Sequence, residues 1–425
     1  MSLHRLLRRA VDVEPGEVGA LLRACLYFFF TLCSYFVLRP IRDAMGVAAG
    51  VSKLPWLFTG TLGVMLLASP VYSALVARYP VRRFIGITYL FFAGNLVLFY
   101  LAGRAGVSEV WTGRVFFVWT SVFNLFVVSV FWSFMADTFT SAQAKRLFGF
   151  IGVGGTLGSI TGAAVTALLA RSLGTTPLLL VSAALLLVAT GLVVTFPASG
   201  SSVPTGRPSE GTAIGGSIWA GISGVASSRY LSGIAGFLLL YTFGSTVLYF
   251  AQADIIGRHF PTREGRTEVL ARMEFASQTL TVLTQVFLTG RIIRAVGLVA
   301  TLCAVPFISM IGFGTLGAGA AGITPILATF VAFSVLRRAS NFSLTNPAME
   351  ALFTVVSRED KYKAKSFIET FVYRAGDQLS AWGYAGLTAL GFGLASIAWL
   401  SVPISALFLA IGIWVGRRHR DLAGA

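Results

Sequence analysis

The chain has 425 residues, 56% of them hydrophobic and 12% charged, with a mean hydropathy of +0.79. A soluble domain carries about 25% charged residues, so a soluble globular protein is excluded. The apolar runs are continuous and near bilayer length, which excludes an alternating β-barrel and predicts an all-α polytopic membrane protein. The net charge of +16 would suit nucleic acid, but it lies in segments between apolar runs, where topology explains it better.

The N-terminus, MSLHRLLRRAVDVEPGE, is basic and has no small-residue cleavage site after its apolar stretch, so no removable signal peptide is expected. Twelve spans are predicted, near 20–38, 55–77, 83–103, 113–136, 147–170, 176–196, 229–252, 268–289, 296–318, 322–342, 366–391 and 396–416. A Ser-, Gly- and Pro-rich segment at 196–216 divides them six and six. The expected organisation is an N-terminal six-helix half at 1–195, a cytoplasmic linker at 196–228 and a C-terminal six-helix half at 229–425. Lys and Arg concentrate in the alternate segments that place both termini in the cytoplasm, with Arg258, Arg263, Arg266 and Arg272 running against the trend. The expected location is a bacterial inner membrane.

The halves repeat. Tyr27, Phe29, Tyr35 and Phe36 recur at the same offsets as Tyr241, Phe243, Tyr249 and Phe250. Two similar six-span halves are the architecture of major-facilitator transporters, which place their site near the midplane between halves.

The chemistry-bearing residues fall in three patches. The first span ends in Arg39-Pro40-Ile41-Arg42-Asp43, with Lys53 following. Arg39 and Asp43 share a helical face and Arg42 lies close to it. Two guanidiniums beside one carboxylate suit an anion such as phosphate, which Arg binds bidentately, although an exposed charged loop would look the same. The second patch spans Asn124, Asp137, Lys145 and Arg146, then Gly154, Gly158 and Gly162 at every fourth position. The glycines lack the Lys-Ser/Thr ending of a phosphate loop and follow no strand, so close helix packing is the better reading. Asn124 serves either a helix–helix hydrogen bond or a substrate. The third patch holds Lys361, Lys363 and Lys365, then Arg374 and Asp377 inside an apolar span, where they pair with each other or with substrate. No disulfide framework, metal cluster or catalytic motif stands out, so no metal, no cofactor and no enzymatic activity are expected.

These patches resemble the ATP/ADP translocases, the nucleotide transporter family of plastids and obligate intracellular bacteria, with its wider bacterial relatives. Tyr35-Phe36-Val37-Leu38-Arg39-Pro40-Ile41-Arg42-Asp43 is similar to the family pattern at the end of the first span. Phe131-Trp132-Ser133-Phe134 with Ala144-Lys145-Arg146-Leu147-Phe148-Gly149 is similar to a second pattern, and Lys363-Ala364-Lys365 to a third. The resemblance implies nucleotide exchange by alternating access, with Arg42 and Lys363 or Lys365 handling phosphate. Where the family carries glutamates in spans four and seven, this chain has Asn124 or its neighbours and Tyr249, and Pro40 replaces the family Asp. The expected partners are the bilayer and an anionic small molecule, a nucleotide or another phosphate. The alternative is a major-facilitator transporter of another organic anion or phosphate ester, coupled to protons through Asp43, Asp137 or Asp377.

Overall fold

The computed structural model describes residues 13–14, 16–78, 81–196, 225–356, 364–365 and 367–423. The expected linker falls almost wholly outside them, as do Lys361 and Lys363. No strand occurs among the described residues.

The helices are α1 (Val18–Ala49), α2 (Leu54–Arg78), α3 (Val81–Arg104), α4 (Glu109–Thr138), α5 (Ser141–Leu173), α6 (Thr175–Val194), α7 (Arg229–His259), α8 (Arg263–Thr284), α9 (Gly290–Ala320), α10 (Ile326–Ser340), α11 (Asn346–Leu352), α12 (Tyr373–Ala389) and α13 (Leu394–Ala423). Three π-helical turns interrupt this order, at Gln285–Thr289, Asn341–Thr345 and Ile368–Val372. Nine helical stretches among the described residues are long and apolar enough to cross a membrane. One of these, Arg263–Ala320, is two rods joined at Gly297, whose φ of 79° is open to glycine without a Cβ penalty. The broken rods α10–α11 and α12 complete the twelve-helix arrangement that the sequence predicts. Large apolar side chains such as Leu67, Leu168 and Leu390 stay about three-quarters exposed, as lipid-facing residues do.

The first span was expected to end at residue 38. Instead α1 continues through Pro40 to Ala49, so Arg39, Arg42 and Asp43 are helical residues and not part of a loop. Gly50, at φ 84°, ends the rod.

The described residues cluster into two compact units. The first holds α1, the stretch from Thr59 through α6, and Phe260–Gln278 of the α7–α8 region. There α1 packs on α5, α6 and α4, and α3 packs on α6. The α1–α5 seam is a backbone contact. A Cβ on Gly154, Gly158 or Gly162 would run into the carbonyl oxygens of Cys25, Phe29 and Cys33 respectively. This is the close packing that the four-residue glycine spacing predicts. Ser34 and Ser182 tie α1 to α6 at 2.8 Å. Aromatic rings fill the α1–α4 interface, where Phe131 stacks on Phe28 at 4.1 Å, and Tyr27 of α1 bonds Tyr89 of α3 at 2.8 Å.

The second unit holds Gly50–Phe58, α7 and the chain from Thr279 onward. Here α7 packs on α12 and α13, and α9 on α13 and α10. Counted by span, the first unit pairs one with five, one with six and three with six. The second pairs seven with eleven, seven with twelve and nine with twelve. The sequence repeat is therefore also a repeat of packing partners.

Candidate functional site

In the first unit, Arg39 and Arg42 stand one turn apart on α1. Asp43 bonds Arg42, which donates from Nε at 3.0 Å and from a terminal nitrogen at 2.7 Å, and its charge also acts on Arg39. Arg39 reaches Glu274 of α8 at 3.1 Å. Glu274 is almost fully buried and also accepts from Gln278 at 2.9 Å. A Phe36 ring lies 5.6 Å from the Arg39 guanidinium, and Phe117 lies 5.0 Å from that of Arg42, within cation–π range. Among the described residues, Glu274 adds a second carboxylate beside the two guanidiniums, so the positive charge read from α1 alone is offset by a residue far away in the chain. Arg39 nonetheless keeps a buried Nε with no hydrogen-bond partner. Glu274 could have been found in the sequence as an acid within the eighth predicted span, with Gln278 one turn on. No basic residue stands three or four positions from it to mark it as half of an ion pair.

Arg146, within the second motif, is a packing residue. With Gln143 it grips Glu17 just before α1, each at 2.9 Å, while Thr140 and Gln143 form a capping box at the start of α5. Arg171 and Arg272 both pair with Glu268 in the same unit.

In the second unit the dominant charge is Arg337 of α10, 4% exposed. It donates to Ser309 Oγ at 2.9 Å, to Ser245 Oγ at 3.0 Å and to the Tyr241 carbonyl at 3.0 Å, with its guanidinium 4.9 Å from the Tyr241 ring. All three acceptors are neutral. The sequence shows Arg337 only as one of two arginines at the end of a span, a position that ordinarily faces water.

The other predicted residues belong to several elements of the two units. Lys53 is exposed in a 3₁₀ turn, and Asp137 is exposed near the end of α4. Asn124 is half-buried on α4. Tyr249 is half-buried, with its ring 5.6 Å from Phe58. Lys365 bonds Glu350 at 2.6 Å, and Glu369 lies 3.7 Å away. On α12, Arg374 is exposed and Asp377 half-buried.

No protein-family model matches the chain, and no curated protein matches it either. Solved structures do. A bacterial homologue of the iron transporter ferroportin, in an inward-facing state, superposes with a TM-score of 0.65 at 13% identity, over 98% of this chain and 100% of that one. A D-xylose–proton symporter gives 0.63 at 14%, over 93% and 97%. A nucleoside transporter gives 0.57 at 13%, over 95% and 99%. At these identities the likeness concerns the fold: the chain has the twelve-helix, major-facilitator-type architecture.

Proposed function

We propose that the chain is a secondary active transporter that moves a phosphate-bearing organic anion across a bacterial inner membrane by alternating access, with nucleotide exchange as its specific form. Arg39 carries this reading. Its guanidinium spends one nitrogen on Glu274 and leaves Nε buried without a partner, beside a second arginine on the same helix. Buried polar atoms left unpaired are costly and are ordinarily completed by a ligand or water. A phosphate can take the spare donor of Arg39 and compete with Asp43 for Arg42, since guanidinium–phosphate pairs are bidentate and strong. Lys365 is engaged by two carboxylates, so the reading rests on the two arginines. The resemblance in the α1 motif supports the nucleotide form.

The test is counterflow of labelled ADP in proteoliposomes preloaded with ATP. Arg42→Ala is expected to abolish exchange while the protein remains monodisperse. Unchanged exchange would remove Arg42 from the mechanism.

A second reading is favoured by Glu274. It is a nearly buried carboxylate whose protonation would free Arg39. This is the arrangement expected of a proton-coupled carrier for a different solute. Uptake that collapses with an uncoupler and needs no internal nucleotide would select this reading.

A further inference from the structure

The second unit contains a cavity of about 290 Å³. Tyr241 of α7, Asn341 and Thr345 of the second π-turn, Glu350 of α11, Glu369 of the third π-turn and Tyr373 of α12 line it. Two of the three π-helical turns therefore form its walls, and π-turns within helices are frequent at functional sites. The first π-turn braces the second: Gln285 donates to the Phe342 carbonyl at 3.0 Å, and Thr289 to that of Ser343 at 2.8 Å.

The inner wall is polar, and one of its polar atoms is unsatisfied. Thr345 is 2% exposed, and its hydroxyl has no hydrogen-bond partner. Asn341, 5% exposed, lies one helical turn before it and lines the same space. The carboxylates Glu350 and Glu369 are exposed and share the single ammonium of Lys365, which also sits 5.7 Å from the Phe353 ring. Among the described residues, this rim of the cavity sets two carboxylates against one ammonium, while the buried Arg337 lies behind the Tyr241 ring. The two carboxylates and the Phe353 ring already seat one ammonium, delivered on a tether.

We propose that this cavity binds a small primary amine carrying a second polar group, a short diamine or amino alcohol. Its ammonium is held by Glu350 and Glu369, and its other end donates to Thr345 and Asn341. Phe237 and Phe353 border its methylenes. The cavity lies at the lower end of the range of small-molecule pockets, which run from about 300 Å³ upward, and has room for a short diamine. Lys365 acts as a resident competitor that the ligand must displace from the two carboxylates. This site does not depend on the anion reading, because neither Arg39 nor Arg42 lines it.

The test is titration calorimetry of putrescine on the detergent-solubilised full chain, with inorganic phosphate as the opposing probe. Wild-type protein is expected to bind putrescine and not phosphate at this site. Lys365→Gln vacates the ammonium position and is expected to tighten putrescine binding about tenfold. Glu369→Gln and Thr345→Val are each expected to weaken it by about tenfold. Asn341→Ser reads the same wall should Thr345→Val fail to fold. No putrescine binding, weaker binding in Lys365→Gln, or phosphate binding that Lys365→Gln removes would each overturn the proposal.

Discussion

Arg39 and Glu274, 235 residues apart in sequence, meet at 3.1 Å and form a nearly buried ion pair in the first unit. Removing one partner takes the opposite charge from the other, a cost of about 3–5 kcal/mol for fully buried pairs and less here, because Arg39 is 19% exposed and Glu274 keeps its bond from Gln278. Arg39→Gln and Glu274→Gln are each expected to lower the melting temperature. The double variant should lose less than the sum, with a coupling of about 1–3 kcal/mol. Additive losses in a double-mutant cycle would show that the pair contributes no specific interaction.

A second prediction concerns Arg337. Its three acceptors are fixed on α7 and α9, and only a planar guanidinium can address all of them together. Arg337→Lys keeps the charge but loses that geometry, and is expected to destabilise by about 1–3 kcal/mol. Thermal unfolding of the purified variant measures this. A melting temperature equal to wild type would assign the hydrogen bonds no net value.

The α1–α5 seam gives a sharper contrast. Gly158→Ala places a methyl against the Phe29 carbonyl and is expected to cost several kcal/mol or prevent folding, because the neighbour is backbone and cannot rotate away. Gly149→Ala, on the same helix with nothing near its Cβ, should be neutral or stabilising by about 0.5–1 kcal/mol. Expression and melting of the two variants side by side decide it, and equal behaviour would refute the close-contact account.

Glu17 supplies a pH dependence. Burial alone would raise its carboxyl pKa, but the Glu14 amide, Gln143 and Arg146 together hold it below the ordinary glutamate value of 4.5. A carboxyl lowered on folding contributes stability that is fully present above its unfolded pKa and lost as pH falls through the folded one. The melting temperature of wild type should therefore drop below pH 4.5 more steeply than that of Glu17→Gln. Parallel acid profiles would remove Glu17 as a source of acid sensitivity.

Periodicity and composition made the twelve rods legible, because a bilayer imposes a length and an apolar content that few other structures satisfy. The glycine stripe was legible for the same reason: its spacing states which face must be bare. The site was less so. Arg39, Arg42 and Asp43 could be found locally, but their balance depended on Glu274, and single-sequence reasoning sees helical neighbours and not distant ones. Tyr27 and Tyr241 illustrate the limit. They occupy matching offsets in the repeat, yet Tyr27 bonds Tyr89 through its hydroxyl, whereas Tyr241 offers its carbonyl and ring to Arg337. Arg337 itself was hidden by position, since an arginine at a span's end usually reaches water and this one turns inward to serines on two other helices.

The bare seam between α1 and α5 has a consequence for how the chain can vary. With carbonyl oxygens against Cα atoms, the two helices mesh in one register. A single-residue insertion between Gly154 and Gly162 would rotate everything beyond it by about 100°, carrying the later glycine off the contact and a side chain onto it. Sequence drift in this segment is thus confined to substitution, while the segments joining the helices remain free to lengthen or shorten.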